Sequence, residues 1–362
     1  MTAPVSTAPV STAPVSTAAV PSIEFEAVSF SYPDGTRALS DVGLRIGPGE
    51  SVAIVGQNGS GKSTLVRHLN GLLRPTAGRV LLDGRDVRPI HVARLAGLVG
   101  LAFQNPDRQL FAGRVSVEVA FGPRNLGIRG PDLDERVRAA LEDVGLAAEA
   151  ATTPYDLGYS SRKLLALASV LVMRTPILVL DEPTTGQDAQ GVARVREVVA
   201  RAAGEGRTVI AISHDMRFVA ESFRRVVVMR EGRVVLDGAP DVAFAETAWG
   251  ELRAAHLEPP LPPVAGARLG LGSTPTDAAF VAALAAGGAP RARRGRGQLA
   301  DRGRGQLADR GGGSGGGRGP GSGGGPGSGG GRGQLADRGP GSGPGSGPGS
   351  GGGRGPLADR DQ

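Results

Sequence analysis

Residues 56–64 read Gly56-Gln57-Asn58-Gly59-Ser60-Gly61-Lys62-Ser63-Thr64, a complete G-x-x-x-x-G-K-[ST] phosphate loop. Average residue frequencies produce such a match by chance in about one per cent of chains this long. An apolar run precedes it and a helical pattern follows, so the loop N–H groups and the helix N-terminus are set to surround a triphosphate. Glycines let the backbone approach phosphate oxygens closely, Lys62 offers a point charge to the β- and γ-phosphates, and the Ser63 hydroxyl can sit on Mg²⁺. The plain alternative is a Gly-rich turn before an ordinary helix. Against it, the chain has only two lysines, Lys62 and Lys163, and one of them falls in this motif.

A phosphate loop indicates a nucleotide and leaves the reaction open. Ile177-Leu178-Val179-Leu180-Asp181-Glu182-Pro183 is an apolar run ending in two carboxylates. It puts Asp181 at the end of a buried strand, able to bind Mg²⁺ through water, with Glu182 beside it to polarise an attacking water. Two acids after a strand can also simply open a solvated loop. The run Val209–Ser213 ends in His214-Asp215. A lone histidine there is more often structural, but in series with the other two motifs a γ-phosphate contact is the better reading.

These groups need a scaffold that brings three strand ends together. From Ser22 to Trp249, short β-branched runs alternate with helical patterns, as expected of an α/β domain spanning 22–249, long enough to bury a full core. Strands are expected at Ser51–Val55, Val80–Leu82, Ile177–Leu180, Val209–Ser213, Val226–Met229 and Val234–Leu236, the last two joined at Glu231-Gly232 as a hairpin. Helical spacing is expected at Leu65, Leu69 and Leu72, at Val137, Leu141 and Val144, and at Val192, Val195, Val198 and Val199. Residues 250–285, with a proline cluster at Pro259–Pro263, read as a small C-terminal extension.

The flanks have another texture. Residues 1–21 repeat TAPVS and read as a disordered leader without the basic start and apolar core of a secretory signal. Residues 286–362 hold 32 of the 60 glycines, with QLADR recurring at 298–302, 306–310 and 334–338, and read as a disordered Gly/Ser/Pro/Arg tail. With 12 Arg against 5 Asp, the tail carries +7 of a net charge of +6, so residues 1–285 are close to neutral. The basic balance is therefore no argument for nucleic-acid binding by the folded part. The absence of cysteine excludes disulfide frameworks and thiolate catalysis. No apolar run approaches the roughly 20 residues that span a bilayer. A cytoplasmic chain, peripheral on the inner face of the membrane, is the expected location.

Over nearly all of residues 22–245 the sequence resembles the ATPase subunits of ABC transporters. The resemblance implies a P-loop NTPase with an antiparallel β subdomain and a helical subdomain, ATP and Mg²⁺ as ligands, and ATP hydrolysis as the activity. It assigns Tyr32 in FSYPDG as the adenine-stacking aromatic, Gln104 in AFQNPDRQLF as the Q-loop glutamine that senses Mg²⁺ and the γ-phosphate, Asp188 in Thr185-Gly186-Gln187-Asp188 to the D-loop, and His214 as the switch. A surface tyrosine remains the other reading of Tyr32. The stretch Phe103–Phe111, followed by Val119–Gly127, looks like the energy-coupling factor branch, which drives uptake of vitamins and of cobalt or nickel.

One motif departs from the family pattern. Where the family has Leu-Ser-Gly-Gly-Gln, this chain has Leu157-Gly158-Tyr159-Ser160-Ser161, followed by Arg162-Lys163. In the family that signature grips the nucleotide bound to the opposite subunit. Gly158 removes the serine hydroxyl and Tyr159 obstructs close backbone approach, with Ser160 and Ser161 as partial substitutes. The expected assembly is a heterodimer with a second ATPase of regular signature, under a coupling membrane subunit and a separate substrate-capturing membrane subunit. The competing reading is a soluble ABC ATPase acting on a nucleic-acid or protein partner.

Overall fold

The structure, a computed structural model, describes residues 20–287. The expected disorder of the leader up to residue 19 and of the tail from residue 288 lies outside the described residues. Ten strands occur among those described: β1 (Ile23–Ser31), β2 (Arg37–Ile46), β3 (Ser51–Val55), β4 (Ala77–Leu82), β5 (Arg85–Asp86), β6 (Val99–Ala102), β7 (Ile177–Asp181), β8 (Thr208–Ile212), β9 (Arg225–Arg230) and β10 (Arg233–Gly238). They form a four-stranded antiparallel sheet, β2-β1-β4-β5, and a six-stranded sheet, β10-β9-β3-β8-β7-β6. In the second sheet β9, β3, β8, β7 and β6 are parallel and β10 closes one edge antiparallel.

The expected strands are all present, within a few residues at their ends. Glu231 and Gly232 both take positive φ, 50° and 74°, which is the backbone a two-residue hairpin turn between β9 and β10 requires. Strands β3, β7 and β8 are buried along their whole length, so both pleated faces must meet apolar partners. One face, with Val52, Ile54, Ile177, Val179, Ile210 and Ile212, packs on Ile23, Phe25, Leu39, Leu44 and Val80 of the antiparallel sheet. The other, with Ala53, Val55, Leu178, Leu180, Val209 and Ala211, meets Leu164, Leu167, Val195, Val198 and Phe218 from helices. Burying Leu180 or Ile210 in this way contributes about 1.5–3 kcal/mol each.

Two of the three expected helical patterns match helices, at Gly130–Asp143 and Ala189–Gly204, with Val144 buried one residue beyond the end of the first. The third is corrected. The helix after the phosphate loop is Lys62–Arg67 only, Leu69 is buried beyond its end, and Leu72 is 49% exposed. Helices Trp249–Ala254, Leu261–Leu269 and Asp277–Gly287 cover the expected extension, the first starting one residue before it and the last running two residues into the expected tail. The proline cluster opens the second of these, because proline in a first turn forfeits no intrahelical hydrogen bond. Arg217 forms an ion pair with Asp277, attaching the last helix to the helix Met216–Ser222.

Candidate nucleotide site

The parallel strands point their C-terminal ends the same way, and the chemistry-bearing residues follow them. Gly56 follows β3, Asp181 ends β7 with Glu182 next, His214 follows β8 and Gln104 follows β6. Ligands of open α/β sheets bind at this edge. The loop turns are fixed by backbone pairing between neighbouring strands, including Glu182 N to Ile212 O at 2.9 Å and Ser213 N to Ile54 O at 3.4 Å.

The phosphate loop is held from behind. A Cβ on Gly56 would meet Met229 O at 2.2 Å, and one on Gly61 would meet Ala38 O at 2.5 Å. Gly232 N donates to Ser60 O at 3.1 Å, tying the loop to the β9–β10 turn. Gly59, at φ 82°, has open space around its Cα, and Gln57 and Asn58 lie with it on the solvent side of the loop. Lys62 is buried and its Nζ donates to Gly56 O at 2.7 Å and Gln57 O at 2.8 Å, with Ser60 Oγ at 3.4 Å. Burial pushes the Lys62 pKa down, and the Glu182 and Asp181 charges oppose that shift.

The carboxylates face this loop. The Ser63 hydroxyl lies 3.1 Å from Asp181 Oδ1. Burial raises the Asp181 pKa, against the lowering effect of the Ser63 hydrogen bond. Glu182 adopts φ 52°, a left-handed backbone that is uncommon for a residue with a side chain. Its Oε2 lies 2.7 Å from His214 Nδ1 and accepts from Thr185 Oγ1 at 3.2 Å. The imidazole is exposed and the carboxylate nearly buried, so the pair sits at the rim of the site. Tyr32 OH is 2.9 Å from Thr64 Oγ1, and its ring stands edge-on to Phe30.

The cradle fits a nucleotide with a divalent cation. Two glycines admit no side chain against backbone carbonyls, a buried ammonium waits within the loop, and Ser63 and Asp181 present hard oxygens side by side. Gln104, two residues beyond β6, is exposed and makes no side-chain hydrogen bond among the described residues, so no contact joins it to the other site residues. Asp188 caps the helix Ala189–Gly204, its Oδ1 accepting from Gly191 N at 2.7 Å.

The signature segment opens the helix Tyr159–Leu171, with Leu157 buried beneath it and Gly158 at the N-cap. Tyr159 is 42% exposed and lies against Gly186, where a Cβ would come within 2.7 Å of its ring. Ser160 Oγ is 2.7 Å from Gln187 Oε1, and Gln187 Nε2 donates to Ser160 O at 3.1 Å. Ser161 is half-buried in the first turn.

Several contributors escaped sequence reasoning. Lys163 is buried and its Nζ donates to Glu182 O and to Thr185 O, the latter at 2.8 Å. Burial pushes its pKa down to about 8, opposed by the Glu182 and Asp181 charges. Its rarity was the only available signal. Gln109 links Phe103 N to Ala166 O, and buried Glu118 accepts from Phe111 N and Ala112 N at 2.9 and 2.7 Å. Gln109 ties the segment after Gln104 to the signature helix, and Glu118, on the helix Val115–Asn125, ties that segment's end to its own helix; Phe111 of the segment and Phe121 of that helix project exposed in an edge-to-face pair.

A family model described as ABC transporter matches residues 39–185. The chain is 41% identical over 226 residues to the energy-coupling factor transporter ATP-binding protein EcfA of Methanothermobacter thermautotrophicus, covering 62% of this chain and 73% of that protein. It is 46% identical over 245 residues to EcfA2 of Symbiobacterium thermophilum, covering 66% and 84%. Among solved structures, CbiO1 of Clostridium perfringens, described as part of the ABC transporter complex CbiONQ, matches with a TM-score of 0.57 at 36% identity over 65% of this chain and 97% of that one. The chain belongs to the ABC transporter ATP-binding proteins, in their energy-coupling factor branch. Members hydrolyse ATP with Mg²⁺, and this chain is an ATPase of that kind. Among the described residues no helix is long and apolar enough to cross a membrane.

Proposed function

We propose that the chain is the ATP-hydrolysing motor of an energy-coupling factor importer that takes up a vitamin or a transition-metal ion. In this reading residues 22–249 are the motor domain and residues 250–285 its appended extension. The observation that carries the motor reading is the meeting of Ser63–Asp181 and Glu182–His214 at one edge of the parallel sheet, opposite the Lys62 loop.

Loop N–H groups from Gly56 to Thr64 cradle the phosphates, and Lys62 leaves its own loop carbonyls to reach the β- and γ-phosphates. Tyr32 supports the base, its hydroxyl anchored on Thr64. Ser63 and Asp181, with Gln104, would hold Mg²⁺, which would supply neutralisation of phosphate charge there. Glu182 accepts a proton from the attacking water, and His214, already bonded to that carboxylate, turns toward the γ-phosphate.

A heterodimeric assembly follows from Gly158 and Tyr159. A partner with a regular signature completes the site described above, and the reciprocal site, served by residues 157–161 here, turns over slowly. The exposed Phe111–Phe121 pair, braced by Glu118, supports a contact of the segment after Gln104 with a membrane subunit. Glu182→Gln tests the motor reading. Hydrolysis by the transporter complex should fall by about 10²–10⁴-fold while ATP binding persists, as expected on losing a general base. Turnover within a few-fold of the parent refutes it.

A further inference from the structure

The signature helix and the turn after Glu182 are bonded to each other within one chain. Lys163 is 5% exposed, yet among the described residues no carboxylate forms an ion pair with it. Its ammonium donates instead to two main-chain carbonyls, Glu182 O and Thr185 O. A buried position on an apolar helix face is ordinarily filled by an aliphatic side chain, because desolvating an unpaired charge is costly. What a lysine adds is charge-assisted donation to two carbonyls of one turn, of which Glu182 O also accepts from Thr185 N at 3.3 Å. The residue so held, Glu182, has the left-handed backbone at φ 52° that sets the direction of its carboxylate. Two further contacts join the same segments, the reciprocal pair Ser160–Gln187 and the Tyr159 ring over Gly186.

We propose that Lys163 is a positioning residue, the centre of a latch that locks the Glu182–Gln187 turn to the start of the signature helix and so aims the Glu182 carboxylate at the phosphate loop. The inference rests on the reading of Glu182 as the proton acceptor. It goes beyond that reading by giving the degenerate signature a task inside its own subunit. Displacement of residues 158–161 by a neighbouring nucleotide pulls on the turn that carries Glu182, so each site of a dimer senses the other through Lys163.

The test uses the full chain in its transporter complex, with Lys163→Met as an apolar side chain of similar length and Gln187→Ala as a cut that leaves Lys163 in place. For Lys163→Met, amide hydrogen exchange across residues 182–188 should accelerate about tenfold or more, and kcat for ATP should fall about tenfold with KM within about twofold, as expected when local opening loses its restraint. Gln187→Ala should give a smaller change of the same pattern, and it carries the test alone if Lys163→Met does not fold. Lys163→Arg, which keeps the donors, should recover part of kcat. Exchange at 182–188 unchanged, or accelerated equally across the whole domain, overturns the latch. Glu182→Gln in parallel separates the two ideas: if it retains turnover, the role of Glu182 fails, whereas an inactive Glu182→Gln beside a silent Lys163→Met removes only the latch.

Discussion

The phosphate loop and the signature segment are both helix N-termini preceded by glycine, yet they are built to opposite tolerances. Gly61 caps the first helix at φ 97° with backbone and side-chain atoms too close for any Cβ. Gly158 caps the second with extended backbone and no atom within 4 Å of where a Cβ would stand. The first glycine is required by the fold, and the second leaves room. A site shaped by main-chain collisions has one sequence solution, whereas a site open to solvent on its own chain is specified by whatever docks against it.

That contrast can be broken by substitution. Lys62→Ala should have the largest effect, weakening ATP binding by roughly 10- to 100-fold, the worth of about 1.5–3 kcal/mol for hydrogen bonds to a charged group. Titration with a fluorescent ATP analogue reads it. Gly56→Ala should follow. Its Cβ meets Met229 O, so about 1–3 kcal/mol of overpacking strain should lower Tm by several degrees. An unchanged melting curve would mean the loop gives way easily. On the other side, Gly158→Ser with Tyr159→Gly should fold normally and raise turnover of the complex by a few-fold, and a loss of turnover would show that Tyr159 serves its own subunit more than it obstructs the neighbour. Smallest of all, ending the chain after residue 285 should leave ATP hydrolysis within about twofold of the parent, since no proposed catalytic group lies beyond it.

Much of this was legible because it is local. A phosphate loop carries its strand, turn and helix within one short stretch, and β3 falls where the apolar run predicts. The carboxylates of β7 and the histidine after β8 were legible for the same reason. The antiparallel sheet was less so. Strands β1 and β2 are interrupted by register shifts, with Ala27 and Asp41 at positive φ, and these break the alternation that marks a strand. Strand β6, Val-Gly-Leu-Ala, is too short and too poor in β-branched residues to stand out. Leu72 misled because a period of 3.6 continues on paper past the point where the helix ends. The bonds of Lys163, Gln109 and Glu118 were illegible because all three donate to or accept from main-chain groups of other segments, which leave no side-chain pattern to read.

The hairpin turn at Glu231-Gly232 exposes its first residue and buries its second, and the buried glycine reaches two ways. Gly232 donates to Ser60 O and accepts from Ser40 N, so one residue clasps the phosphate loop on one side and the antiparallel sheet on the other. The backbone of the phosphate loop is thus held in part by a two-residue bend far along the chain. Lengthening that bend should therefore loosen the loop without altering any side chain proposed to hold ATP.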